Sequence, residues 1–312
     1  MDISIIIPFY NEKESIPPLV SQLKKLVENF KRKIEIIFTD DGSTDGSFEV
    51  LKKLKGDAPY IKIIRFKRNF GQTAALAAGF KNSRGDIIVT MDSDLQNDPS
   101  DIPTLVSEIE KGSDIVSGWR KNRKDPFLSR IVPSRIANAV ISWYTGVKLH
   151  DYGCTLKAYR RDVLKNINLY GELHRFIPVL LSWSGSTIKE IPVNHRPRKF
   201  GKSKYGILRT INVILDLITV KFLLASSKGP MQIFGRIGLF SLGSGFLCLV
   251  VTVIMKLASH TDMTGNPILY LSVLLTIVSL QFFSMGLLGE INIRIYTKSE
   301  SKEIYTVKEV VE

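Results

Sequence analysis

Two carboxylates, Asp92 and Asp94, stand two residues apart at the end of the apolar run Ile87 to Met91, and Gln96 follows two residues later. On an extended backbone, residues two apart share a face, so these three oxygen-bearing side chains are expected to converge on one point. Hard oxygen donors of this kind suit Mg²⁺ or Mn²⁺. An ion held by so few protein groups keeps positions open for phosphate oxygens and can neutralise a diphosphate as it departs. The chemistry implied is leaving-group chemistry on a nucleotide-activated substrate.

Such a constellation needs a strand that ends where the acids begin. The runs Ile3 to Pro8, Ile34 to Asp40, Ile61 to Phe66, Ile87 to Asp92 and Ile115 to Trp119 are short and β-branched. Between them, Ser15 to Phe30, Ser47 to Lys55, Thr73 to Asn82 and Asp101 to Lys111 carry apolar residues at helical spacing. Strand and helix alternate, and continuously apolar strands predict an open α/β domain with a mostly parallel sheet covered on both faces. In such sheets ligands bind beyond the carboxyl ends of the strands. Four polar clusters fall at those ends: Tyr10-Asn11-Glu12, Asp40-Asp41-Gly42-Ser43, Arg68-Asn69, and Asp92 to Gln96.

At 312 residues, 44% hydrophobic and 23% charged, the chain is long and apolar enough to fold, which excludes disorder as its description. A formal charge of +13 calls for an anionic partner: nucleic acid, a phosphorylated small molecule or an anionic membrane face. The two cysteines, Cys154 and Cys248, have no metal-ligand spacing, so a reduced compartment and no zinc are expected. The first residues start a strand rather than a signal peptide, which predicts a cytoplasmic first domain.

Residues 120 to 135 carry Arg120, Lys121, Arg123, Lys124, Arg130 and Arg135 against Asp125 alone, followed by a helical run from Ile136 to Tyr144. A second cluster, Lys189 to Arg209, holds seven basic residues opposed by Glu190 only. Residues 205 to 227 alternate at helical spacing and read as an interfacial helix or one packed on the globular domain. Then Gly238 to Met255 and Ile268 to Gly289 are long enough to cross the hydrocarbon core. Basic residues flank this pair on the outside (Lys221, Lys228, Arg236; Arg294, Lys298), so both termini are expected in the cytoplasm, at the inner membrane. Ser241 and Gly245 would let the helices approach closely. The organisation predicted is a domain over 1–204, an amphipathic juxtamembrane helix over 205–230, spans over 231–257 and 267–291 joined by an extracytoplasmic loop over 258–266, and a tail over 292–312 that frays or meets a neighbouring subunit.

No GxGxxG follows a strand, no GxSxG or HExxH occurs, and Gly201-Lys202-Ser203 lacks the earlier glycine of a phosphate loop. Of the four histidines, His150 beside Asp151 is the one placed to matter.

The stretches Ile5 to Glu12, Thr39 to Ser47, Arg68 to Gln72, Met91 to Pro99 and Asp151 to Cys154 together resemble the family 2 glycosyltransferases of GT-A fold. Within them the chain is similar to the polyprenyl-phosphate glycosyltransferases, including dolichol-phosphate mannose synthase and bacterial undecaprenyl-phosphate glucosyltransferases. The resemblance covers about residues 2 to 210 and extends to the paired spans. It implies that Pro8, Tyr10, Glu12 and Asp41 embrace the nucleotide and that Asp92, Asp94 and Gln96 hold the divalent ion. It further implies that Arg120 and Arg135 bind the acceptor phosphate and that Arg198 and Lys204 lie on a basic loop near the donor diphosphate. Asp151 falls where relatives place a catalytic carboxylate, beside the role of Asp94. The Gln-x-x-Arg-Trp run of processive relatives is missing, so polymer synthesis is not expected.

The activity expected is inverting transfer of one hexose from a nucleotide diphosphate sugar to polyprenyl phosphate, with UDP-glucose the first choice of donor and GDP-mannose the second. A glycerolipid or ceramide hydroxyl is the alternative acceptor, and it would need a true general base. A non-enzymatic basic membrane scaffold is the reading of another class. Nucleic acid is not expected, since no binding motif with interleaved aromatics occurs. Two thin spans under a large basic domain predict self-association.

Overall fold

The computed structural model describes residues 1–56, 58–121, 132–165, 167, 169, 171, 173–197, 200, 229–259, 262–298 and 304–312. They fall into two compact units: the residues up to 200 together with 304–312, and the helical pair between them.

In the first unit, β1 (Ile3–Phe9) and β2 (Ile34–Asp40) are buried at every position, as strands covered on both faces must be. They pair in parallel, with Ile5 opposite Ile36, and β3 (Ile61–Phe66) and β4 (Ile87–Thr90) add in parallel on either side. The connecting helices are α1 (Ile16–Asn29), α2 (Ser47–Lys55), α3 (Gln72–Asn82) and α4 (Ile102–Glu110). Helix α1 buries Ile16, Leu19, Val20, Leu23 and Leu26, one stripe at helical spacing, each side chain contributing about 1.5–3 kcal/mol by leaving water. Helix α3 presents Ala74, Ala75 and Ala78 instead. That thin face lets it lie so close to β1 that a Cβ on Gly79 would stand 2.3 Å from Ile6 Cγ2.

The full sheet runs β7-β5-β6-β4-β1-β2-β3-β8. Strand β5 (Ile115–Trp119) does not pair with β4; β6 (Lys157–Arg160) lies between them, antiparallel to both. Helix α5 (Val132–Thr145) precedes β6, the short helices α6 (Arg161–Leu164) and α7 (Ile177–Trp183) follow it, and β7 (Ile188–Pro192) pairs in parallel with β5. The fold is therefore α/β with a mostly parallel sheet, as expected, and the four helices joining the first five strands fall where periodicity put them. Strand β4 is shorter than expected: it stops at Thr90, and the chain bends through Ser93 to Leu95, with Leu95 at φ 64°.

The expected tail is also revised. Val307–Val311 form β8, antiparallel to β3 on the sheet edge, with Ile63 opposite Val311 and Arg65 opposite Glu309. The alternation of Val307, Glu309 and Val311 with charged or apolar partners is that of a half-covered edge strand, a weak signal beside a lysine- and glutamate-rich surround.

The second unit consists of α8 (Pro230–Ser259) and α9 (Pro267–Lys298). Both are long and apolar enough to cross a membrane, over Pro230–Ala258 and Pro267–Asn292. Small residues set their approach: Cβ atoms on Gly238 and Gly245 would lie 3.2–3.3 Å from atoms of α9, and one on Gly289 2.8 Å from Pro230. Their outer faces carry exposed Leu239, Phe240, Phe246, Leu247 and Leu280. The expected interfacial helix over 205–227 lies outside the described residues.

Candidate active site

The parallel strands end on one edge, and the loops leaving it are tied to one another. Past β1, Pro8 is buried in the strand and Tyr10 stands just beyond it. Asn11 takes φ 54°, its N–H donates to Ser43 Oγ at 3.0 Å and its side-chain oxygen accepts from Thr44 N at 2.8 Å. Glu12 N donates to Ser47 Oγ at 2.9 Å, while its carboxylate accepts from Ser15 Oγ at 2.8 Å. Thus the loops after β1 and β2 form one surface.

Asp40 is fully buried; burial pushes its carboxyl up, opposed by hydrogen bonds from Ser43 and the charge of Arg65. Asp41 has a bracing role that the motif alone does not reveal. Its two oxygens accept from the backbone N–H groups of Phe70 and Gly71 at 2.7 and 2.9 Å, fastening the β3–α3 loop.

The acidic loop after β4 sits beside this. Asp92 Oδ1 accepts from the Gln72 side chain at 2.9 Å, and its backbone N–H donates to Asn97 Oδ1 at 3.1 Å. Burial raises the Asp92 carboxyl above its usual range, countered by a hydrogen bond from Thr155 and by the charges of Arg120 and Lys157. Asp94 Oδ1 accepts from Gln96 N at 3.1 Å, the short-range turn that accompanies the bend. The common face expected of an extended strand is thus not the local geometry: the chain presents Asp92 and Asp94 from a bend. The Gln96 side-chain nitrogen lies 3.4 Å from His195 Nε2.

Among the described residues, no three His, Cys, Asp or Glu side chains gather as a complete metal cage. Two carboxylates with an amide oxygen fit a hard divalent cation that takes the rest of its shell from a ligand. Asp92 and Asp94 are each half-buried, so both keep access to an ion arriving with its ligand.

Across the edge, Arg120 grips Asp151. Nε donates to Oδ2 at 2.6 Å and Nη2 to Oδ1 at 2.8 Å, with both side chains nearly removed from solvent. Burial pulls the guanidinium pKa down, but the hydrogen bonds and charge of Asp151 more than offset it and leave it above its ordinary value. The Asp151 turn is held from both sides. Glu190 of β7 accepts from His150 N at 2.9 Å and Asp151 N at 3.1 Å, and the buried Lys157 ammonium of β6 donates to the carbonyls of Tyr152 and Cys154. Burial pushes the Cys154 thiol up to about 11, so it stays protonated in place. His150 stacks on Trp119 with centroids 4.4 Å apart, its Nδ1 2.6 Å from Glu190 Oε2.

The basic segment starts here as well. Asn97 and His195 form an isolated bridge, Arg196 N donates to Gln96 O at 3.0 Å, and the Arg196 guanidinium pairs with Asp98. Arg198 and Lys204 lie outside the described residues. Arg135 belongs to α5, on the chain between β5 and β6.

The site thus unites Asp41, Asp92, Asp94, Gln96, Arg120 and Asp151 on one edge and adds Gln72, which closes a motif without an assigned role, and Lys157, Glu190 and His195, which motif reading passes over. Two of these had a signal: Glu190 is the lone acid of a basic run, and Lys157 interrupts an apolar stretch.

Comparison with known proteins identifies the family and the fold. The pattern of glycosyl transferase family 2 matches residues 4–167. The chain is 41% identical, over 99% of its length and 93% of the other's, to a dodecaprenyl-phosphate galacturonate synthase of Rhizobium johnstonii. It is 38% identical, with the same coverage, to an undecaprenyl-phosphate 4-deoxy-4-formamido-L-arabinose transferase of Salmonella choleraesuis. Two solved structures share the fold. Mannosyl-3-phosphoglycerate synthase from Rubrobacter xylanophilus has a TM-score of 0.60 at 14% identity, over 73% of this chain and 75% of that one. Glucosyl-3-phosphoglycerate synthase from Mycobacterium tuberculosis, crystallised with Mn²⁺, UDP and phosphoglyceric acid, has a TM-score of 0.54 at 17% identity, over 69% and 78%. With an acidic loop, a forked Arg–Asp pair and a basic exit on one GT-A sheet edge, and a family pattern spanning most of that sheet, the chain belongs to glycosyl transferase family 2 and is a glycosyltransferase.

Proposed function

We propose that this enzyme transfers one glycosyl unit from a nucleoside diphosphate sugar to the phosphate of a polyprenyl phosphate carrier, with inversion, at the cytoplasmic face of the membrane. The observation that carries the reading is the meeting of the Asp92–Asp94 loop, the buried Arg120–Asp151 pair and Arg196, whose N–H donates to Gln96 O, on one edge. The two relatives differ in the sugar that their names give and agree in the polyprenyl phosphate, which favours that acceptor here.

Two anions must be brought together, and most of the catalysis is positioning. A phosphate monoester has a second pKa of about 6, so it arrives already charged and needs no proton removed. One of its oxygens attacks the anomeric carbon while the bond to the diphosphate breaks and the electron pair leaves with the nucleoside diphosphate. Asp151 takes two of the five N–H donors of Arg120 and fixes the plane of the guanidinium. We assign the rest of that fork to the acceptor phosphate, with Arg135 as its second ligand. A hydroxyl acceptor would instead require Asp151 to take a proton with both oxygens already bonded to Arg120, which disfavours a glycerolipid. Pro8, Tyr10, Glu12 and Asp41 form the nucleotide side, and Arg198 with Lys204 serve the donor diphosphate. Mg²⁺ or Mn²⁺ held by Asp92, Asp94 and Gln96 would supply neutralisation of the departing diphosphate.

Helices α8 and α9 are assigned as a membrane hairpin. Strands before and after them share one sheet, so the chain must leave and return on the same side, in keeping with basic flanks on the cytoplasmic face. The outer face of α5, with Trp143 84% exposed and Val140 46% exposed, suits the lipid headgroup level. For the sugar, the relatives favour a uronic acid or a 4-amino-type pentose over glucose.

The test is a panel of nucleotide sugars, with UDP-glucose, UDP-galacturonate and GDP-mannose among them, incubated with the membrane-bound enzyme and polyprenyl phosphate. One donor should yield a lipid heavier by one glycosyl unit. Equal transfer to unphosphorylated polyprenol, or to a glycerolipid, would overturn the acceptor assignment.

A further inference from the structure

Strand β8 does more than close an edge. Lys67 N donates to Thr306 O at 3.0 Å, and Lys52 and Lys62 pair with Glu309 and Glu312, both at 2.7 Å. Just before the strand, the buried Tyr305 ring stacks on Phe66, with centroids 4.9 Å apart and planes 15° from parallel. Phe66 meets Phe70 edge to face at 5.8 Å, and the Arg68 guanidinium lies 4.7 Å over the Phe70 ring. Phe70 and Gly71 are the residues whose amides Asp41 holds, and Gln72, next in the chain, donates to Asp92. A line of direct contacts therefore runs from Tyr305 through two rings to the loop that joins Asp41 to Asp92.

Asp41 holds the far end of that loop through the Phe70 and Gly71 amides, and its near end leaves β3 at Phe66. The β3–β8 register shifts between Arg65 and Phe66, and the pairing ends with Phe66 opposite Val307 and Lys67 N on Thr306 O, just where Tyr305 enters. Between those two anchors, the Tyr305–Phe66 stack and the Phe66–Phe70 edge-to-face pair bridge the loop, in geometries that aromatic rings favour.

We propose that Tyr305 is a positioning residue for the donor side of the site: it orders the 66–71 loop, so donor affinity depends on a strand that reaches the sheet only after the α8–α9 pair. The proposal rests on the reading that a nucleoside diphosphate binds on this edge. It assigns the last strand a part in the reaction, by preorganising the loop rather than by touching substrate.

The experiment uses the full chain in lipid nanodiscs, titrated calorimetrically with an equimolar mixture of UDP and GDP in the presence of Mn²⁺, for wild type, Tyr305→Ala, Tyr305→Leu and Tyr305→Phe. Hydrogen exchange of the Phe70 and Gly71 amides is followed in parallel. Tyr305→Ala should weaken nucleotide binding by roughly ten-fold and speed those two amides, and Tyr305→Phe should restore both. Transfer assays should show the same split, a raised donor KM with kcat little changed. A merely structural role would lower the folded fraction and leave the Kd of what remains unaltered. If the alanine variant does not fold, Tyr305→Leu, which keeps apolar bulk without the stack, reads the same quantities. Wild-type affinity and wild-type exchange in the folded Ala or Leu variant would overturn the proposal, as would equal weakening by Tyr305→Phe. A wild-type enzyme that binds neither nucleotide would overturn the donor reading itself and this proposal with it.

Discussion

Arg120 and Asp151 face each other fork to fork, with hydrogen bonds of 2.6 and 2.8 Å, at a point where the side chains retain 15% and 3% of their solvent exposure. A pair this enclosed is not a surface ornament. Its members come from the end of β5 and from the turn before β6, so the antiparallel insertion of β6 is what brings them together. Nor is there room for change around it: a Cβ on Gly153 would lie 3.2 Å from Arg120 Nη2.

Removing one partner leaves the other as an uncompensated buried charge. Arg120→Ala and Asp151→Ala should each destabilise the domain by about 3–5 kcal/mol in chemical denaturation. The double replacement Arg120→Met with Asp151→Leu should recover much of that loss while transfer activity stays abolished. Recovery of activity together with stability would mean that the pair is structural only.

Metal dependence should follow the acidic loop. Asp94→Asn is expected to abolish Mn²⁺-dependent nucleotide binding, and excess chelator should stop transfer by the wild type. Gln72→Ala, which removes the 2.9 Å hydrogen bond to Asp92 without removing a carboxylate, should weaken Mn²⁺ binding several-fold and no more. Calorimetric titration with Mn²⁺ and nucleotide compares the three; unchanged binding in Asp94→Asn would refute the assignment.

His174 makes the domain acid-sensitive. Its Nδ1 lies 2.9 Å from Thr73 Oγ1 at the start of α3, and burial, with the nearby charges of Arg175 and Lys157, takes the imidazole from 6.5 down to about 3. Between those values the unfolded chain binds a proton that the folded chain refuses. Stability is therefore complete above 6.5 and falls as the pH drops toward 3, by up to about 1.4 kcal/mol per pH unit from this group. His174→Asn should flatten that slope in urea titrations run from pH 7 to pH 4.

Gly42 tests the loop junction. It adopts φ +75°, and a Cβ there would stand 2.5 Å from the carbonyl carbon of Arg68, which is backbone and cannot swing away. Left-handed strain alone costs about 1–3 kcal/mol. Gly42→Ala should lower thermal stability and raise donor KM together, whereas Gly46→Ala, with φ +87° but only the Lys13 side chain nearby, should cost stability without the donor effect.

How far the chain could be read in advance depended on range. Isoleucine-rich runs, helical stripes and the acidic pairs carry local signals, because periodicity and turn chemistry act over a few residues. Alternating elements, the carboxyl-edge location of Asp41, Asp92 and Asp94, and the two long apolar helices follow from such signals. Partnership across the sheet does not. That Asp41 braces Phe70 and Gly71, that Lys157 and Glu190 hold the Asp151 turn, and that His195 reaches Gln96 depend on strand order. Strand order is set by which edges find partners, and no local pattern records it. Strand β8 is the clearest case. Its five residues are too short and too charged to announce a strand, and only the open edge of β3, with Tyr305 seated on Phe66, draws them into the sheet. Residue types alone determined the chemistry available to this enzyme; tertiary pairing decided which of those groups meet, because hydrogen bonds and ring contacts between distant residues form only once the whole sheet has closed.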